Sequence, residues 1–120
     1  KAIVKHISRL PGISSCLLMF TDGLPIAGNL PEGFDNEAFS ALVPRFFAKV
    51  DQATSDLRLG SVESLTLHTS LAPVSFFVSG GVGMALIHNR SRFLPGVREK
   101  LVAIIRAVSR IYSPNSVTKS

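Results

Sequence analysis

Three histidines, one cysteine and eight carboxylates are the side chains with which this 120-residue sequence could do acid–base, nucleophilic or metal chemistry. His6, His68 and His88 stand on separate stretches, with no cysteine or carboxylate at the short spacings of a tetrahedral metal site, so no metal is expected. Cys16 lies in the apolar run Cys16-Leu17-Leu18-Met19-Phe20. A thiol there is a small core side chain, because a reactive thiolate needs an electropositive, partly exposed setting. Glu32, Asp35 and Glu37 are close in sequence, but a loop and a helix start account for them. Gly80-Gly81-Val82-Gly83 has the glycine density of a phosphate loop. A strand pattern follows it where a helix should, and no Lys-Ser/Thr pair is present, so it reads as a hairpin turn. With no Trp and only Tyr112, a nucleotide-stacking platform is poorly supplied. No catalytic, metal or cofactor site emerges, and the chain reads as a non-enzyme.

The bulk composition narrows the class. The length suits one domain, and 46% hydrophobic with 18% charged residues describes a globular chain. No apolar run is long enough to span a bilayer, and a lone cysteine implies no internal disulfide, so a cytoplasmic setting is the default expectation. The net charge of +5 is unevenly spread. Residues 1–63 carry six Lys/Arg against seven Asp/Glu, whereas residues 64–120 carry seven against Glu99 alone. Those basic residues (Arg90, Arg92, Arg98, Lys100, Arg106, Arg110, Lys119) are scattered and lack interleaved aromatics, which favours a solvated helix face over nucleic-acid binding.

The elements that would position these residues follow from periodicity and punctuation. A short helix over residues 1–10 is closed by Pro11-Gly12. Residues 13–20 form a strand apolar on both faces, which requires cover on both sides. Asp22-Gly23 signals a hairpin into a return strand over 24–28, where Pro25 argues for an edge position. Residues 61–69 alternate around Leu65 and Leu67 as a half-covered strand, the expected free edge of the sheet. Strands over 74–79 and 82–88 flank Gly80-Gly81, and a last helix runs over 94–112. The order α-β-β-α-β-β-β-α predicts an α+β domain over residues 1–112 with a five-stranded antiparallel sheet. The long helix covers one face and the terminal helices the other, a three-layer α/β/α arrangement. Residues 113–120 read as a polar C-terminal tail.

The long helix over 35–57 carries the most information. Asp35 can cap it. Phe39, Leu42, Val43, Phe46, Val50, Ala53 and Leu57 form a stripe expected to face the core. Pro44 should bend the helix without ending it, since the periodicity continues beyond it. On the opposite side Ala41, Ala48 and Ser55 recur at heptad spacing, with Ser40, Pro44 and Gln52 beside them and Phe47 on the shoulder. Small residues allow a second helix to approach closely, so this side is expected to pack against another helix in a dimer.

Pro11-Gly12-Ile13 before an apolar strand, then Thr21-Asp22-Gly23-Leu24-Pro25-Ile26-Ala27 ahead of a long helix, resembles the Roadblock/LC7 signature. The stretch from Leu57 to Glu63 and the Gly-Gly hairpin are similar to that family's sheet. The resemblance runs from about Ile3 to Ile111 and implies a profilin-like, Roadblock fold. It also implies a homodimer joined through the long helix and the neighbouring edge strand. Members of the family regulate Ras-like small GTPases or scaffold motor and lysosomal complexes without reacting residues of their own. On that basis Ala41, Pro44, Phe47, Ala48, Ser55, Ser64, Thr66 and His68 are expected at the self-interface. Arg45, Lys49, Gln52 and Asp56 are expected to meet a small GTPase or a motor or scaffold complex. Two other classes compete: a profilin- or PAS-like small-ligand sensor, which needs an internal cavity with convergent polar groups, and a basic nucleic-acid-binding domain.

Overall fold

The computed structural model describes residues 2–89 and 93–112. The polar tail over 113–120, with Lys119, and the loop cations Arg90 and Arg92 lie outside the described residues. The elements run α1 (Ala2–Ser8), β1 (Ile13–Phe20), β2 (Pro25–Gly28), α2 (Asn36–Asp56), β3 (Ser64–His68), β4 (Pro73–Ser79), β5 (Val82–His88) and α3 (Val97–Tyr112). This is the expected order, and the strands form one antiparallel sheet in the order β2-β1-β5-β4-β3.

Local chemistry explains each turn. At the β1–β2 corner Gly23 takes φ +108°, a region closed to most side chains, and Asp22 Oδ1 accepts from Leu24 N at 3.3 Å. Asp35 caps α2, its Oδ1 accepting from Glu37 N at 2.9 Å and Ala38 N at 3.2 Å. Pro44 sits inside the helix, which continues through it to Asp56.

The strands apolar on both faces, β1 and β5, lie in the middle of the sheet. On one side α1 and α3 cover Cys16, Leu18, Phe77, Val82, Met84 and Leu86 with Val4, Ile7, Leu101, Ile105 and Val108. On the other, α2 lays Val43 and Phe47 over Leu17, Met19, Phe76 and Ala85. The arrangement is three-layered, α/β/α.

The orientation of α2 departs from the expected one. Its buried residues are Ser40, Val43, Pro44 and Phe47. Of the stripe expected in the core, Leu42 is 59% exposed, Phe46 42% and Leu57 69%, and Ala53 is also exposed. The helix is turned by roughly a quarter of its circumference from the periodicity-based expectation. The reason is that apolar residues span a wider arc than the sheet can cover, so the sheet takes the Val43–Phe47 half and leaves the Leu42–Phe46 half uncovered. Pro44 and Phe47, expected at the self-interface, are instead core residues of the chain itself, Phe47 only 5% exposed.

A groove between the long helix and the sheet edge

The outer side of α2 and the neighbouring edge strand build a groove of about 440 Å³ lined by Leu42, Val43, Arg45, Phe46, Lys49, Leu67 and Phe76. Phe46 stands edge-on to Phe76, with ring centroids 6.4 Å apart, which fixes the aromatic floor. Arg45 and Lys49, one helical turn apart, are exposed and flank the apolar side chains with positive charge.

The α2–β3 loop fixes β3 beside this groove. Thr54 Oγ1 donates to Gly60 O at 2.9 Å, and Asp51 Oδ1 accepts from Val62 N at 2.8 Å. Arg58 adopts φ +62°, an uncommon conformation for a residue with a Cβ, which turns the chain sharply off the helix end. β3 then pairs only with β4, so its outer edge has no strand partner among the described residues. β2, at the opposite end of the sheet, is four residues long, begins at Pro25 and is bulged against β1, features that discourage further pairing. β3 has a regular register and no proline.

The expected site residues divide accordingly. Ala41, Ala48 and Ser55 are exposed on the flank of α2 turned away from the groove. A Cβ on Gly23 would lie 3.6 Å from the Ala41 Cα, an ordinary van der Waals distance, so the β1–β2 turn packs beside this part of the helix. Ala48 lines a second open recess of about 370 Å³ with Thr21, Asp51 and Ser61. Arg45, Lys49, Gln52 and Asp56 are exposed together along the outer face, and Gln52 Nε2 donates to Asp56 Oδ1 at 2.9 Å. In β3, Thr66 and His68 are exposed and Ser64 half-buried. Thr66 and Ser75 share a 2.6 Å hydroxyl contact, and Arg98 of α3 reaches Ser64 Oγ at 3.5 Å, so these two hydroxyls belong to the α3 side of the sheet. Leu65 and Leu67 pack toward α2. Leu42, Phe46, Leu67 and Phe76 were missing from the sequence-based site because an apolar residue bound for an exposed groove looks like one bound for the core.

The remaining chemistry-bearing groups are apart from the groove. Burial pushes the Cys16 thiol up to about 11, only slightly opposed by the Ser8 hydroxyl, so it is a neutral core side chain. His6 is exposed on α1 and His68 on β3, while His88 is buried at the end of β5 with its ring 4.5 Å from Phe93. No group of three potential metal ligands occurs among the described residues. No helix among them is long and apolar enough to cross a membrane.

A family model described as the Roadblock/LC7 domain matches residues 1–74, from α1 through the edge strand to the start of β4. The chain belongs to the Roadblock/LC7 domain family. Roadblock/LC7 domains are regulatory and non-enzymatic, which is the general role this membership supports. No curated protein matches the sequence. Among solved structures, MglB of Myxococcus xanthus is similar, with a TM-score of 0.79 at 12% identity and 92% of each chain covered. A Roadblock/LC7 domain from Streptomyces avermitilis gives 0.74 at 16% identity, with 92% of this chain and 94% of that one covered. Profilin II of Acanthamoeba castellanii gives 0.56 at 16% identity, covering 91% of this chain and 98% of the profilin. At these identities the likeness is one of fold, and it places this Roadblock/LC7 domain in the profilin-like architecture.

Proposed function

We propose that this Roadblock/LC7 domain is a dimeric, non-enzymatic platform, acting in the cytoplasm, that regulates or scaffolds a Ras-like small GTPase or a motor complex. One observation carries the reading: an apolar groove on α2 lies directly beside an unpaired, regular edge strand. Two copies meeting at β3 would extend the sheet and cover Leu42, Phe46 and Leu67 at once, satisfying backbone edge and apolar side chains in one contact. The self-interface proposed here therefore replaces Pro44 and Phe47 with Leu42 and Phe46 and keeps β3, with its residues Ser64, Thr66 and His68. Ala41, Ala48 and Ser55 lie on the other flank and fall outside the self-interface proposed here. Arg45, Lys49, Gln52 and Asp56, along the outer crest of α2, are proposed to meet the partner. A ligand-sensor role is less well supported, since both recesses open to the surface and the groove is lined mainly by apolar side chains.

The direct test is a binding titration of Ras-like GTPases in their GDP and GTP-analogue states against the purified domain. The account expects one nucleotide state to bind preferentially and a Gln52→Lys/Asp56→Lys variant, outside the groove lining and still dimeric, to lose that binding. Unchanged binding by this variant would remove the α2 crest as the partner surface.

A further inference from the structure

The uneven charge of the sequence becomes, in the fold, a difference between the two outer layers. On the α1/α3 side Lys5, Arg9, Lys100, Arg106 and Arg110 are all exposed, and none is in an ion pair among the described residues. Glu99 is the one carboxylate on these two helices. The α2 layer carries Arg45 and Lys49 against Glu37, Asp51 and Asp56. The sheet therefore separates a strongly basic face from a nearly neutral one. The remaining α3 cation, Arg98, leans off the layer to pair with Glu63 at 3.4 Å. Unpaired like charges gathered on one face repel one another and weaken the fold slightly unless an anionic surface meets them.

We infer that the α1/α3 face is an electrostatic docking surface for an anionic lipid bilayer. The cations are spread over two helices and the turn that follows the first, which matches a broad, diffusely charged plane better than a phosphate backbone followed along a groove. Ile111, 70% exposed, lies next to Arg110, and an apolar side chain beside cations suits the headgroup region. Base stacking finds little here: Tyr112 at the helix end already packs edge-on against Phe20, with centroids 5.5 Å apart. The apolar face of α3 is committed to the core through Val97, Leu101, Ile105 and Val108, so the helix stays in the domain and the contact is peripheral. A membrane held on this side leaves the α2 groove facing solvent on the other. The inference rests on charge and layer geometry, independently of the dimer. A dimer joined through β3 would set two such faces on the same side of one sheet.

The test is co-sedimentation of the protein with phosphatidylcholine vesicles, with and without phosphatidylserine, at low and physiological salt. Binding is expected only with phosphatidylserine, falling steeply as salt rises. Each basic side chain near an anionic leaflet is worth about fivefold in affinity, so Arg106→Gln/Arg110→Gln should lose roughly 25-fold. Arg58→Gln, exposed just beyond the C-terminal end of α2, should bind as the wild type does. Thermal melts establish that each variant is folded, and Lys100→Gln, expected to lose about fivefold, provides an independent reading. The proposal is overturned by no binding to phosphatidylserine vesicles at low salt, by equal binding to neutral vesicles, or by equal losses from Arg58→Gln and Lys100→Gln. Tighter binding of a single- or double-stranded oligonucleotide at the same salt would assign the face to nucleic acid and overturn it as well. Solution mass, measured on the same samples, reports separately on the dimer.

Discussion

The two sides of the sheet solve the same packing problem to different extents. Among the described residues, the apolar cluster under α1 and α3 has fourteen buried side chains, and the exterior of that layer is charged. The apolar cluster under α2 has only six, and Leu42 and Phe46 of the same helix remain open beside the edge of β3. One layer has finished folding within the chain. The other carries more apolar surface than its own sheet can cover, and such a surplus marks a binding face. Completeness of burial thus distinguishes the two sides of the sheet, and the open one is the side proposed for self-association.

Substitutions can sharpen that contrast, beginning with the largest effect. Phe47→Ala and Leu101→Ala each remove a buried side chain, from opposite layers, and should each cost about 3 kcal/mol or more in urea unfolding. Similar losses at both positions would place Phe47 in the core as firmly as Leu101. A wild-type-like midpoint for Phe47→Ala would mean that α2 is turned the other way.

The sealed layer should also be sensitive to alkali. Folding raises the Cys16 thiol from 9.0 to about 11, so the folded state favours the neutral form. The associated stability is fully present below pH 9 and is lost as pH rises from there through about 11. Against Cys16→Ala, which removes the titrating group, the wild type should lose of order 2 kcal/mol more across that window. Parallel pH profiles would show that the thiol is more exposed than the structure has it.

A smaller effect is expected at the start of the open layer. Asp35→Ala deletes the cap of α2 and should cost about 1 kcal/mol, with Asp35→Asn retaining most of it. Least affected of all should be the monomer's stability in Leu42→Ser, within about 0.5 kcal/mol, since that side chain is mostly exposed. The same substitution should nonetheless weaken self-association, and urea midpoints combined with concentration-dependent mass would separate the two effects.

The comparison also shows what could be read from the amino acids alone. β1 and β5 have the expected boundaries, because Pro11-Gly12, Asp22-Gly23 and Gly80-Gly81 punctuate the chain and both strands are apolar on both faces. The division of helices between layers was legible for the same reason: strands apolar on both faces need cover on both. The rotation of α2 was not. Phe39, Leu42, Val43, Phe46, Phe47 and Val50 cover so wide an arc that periodicity cannot say which half meets the chain's own sheet. Pro44 and Ser40 added to the ambiguity, since neither residue type suggests burial, yet both are buried. The edge position of β3 was legible from its half-polar alternation, but its groove partners were not, because Phe76 and Phe46 meet only in three dimensions.

The central claim is that the open layer is completed by a second copy of the chain. The most direct measurement is the solution mass of the wild type and of Phe46→Glu by sedimentation across a range of concentrations. The account predicts a wild type of twice 12.9 kDa and a folded Phe46→Glu monomer. A wild type that stays at 12.9 kDa at the highest concentration, or a Phe46→Glu variant that remains fully dimeric, would contradict it.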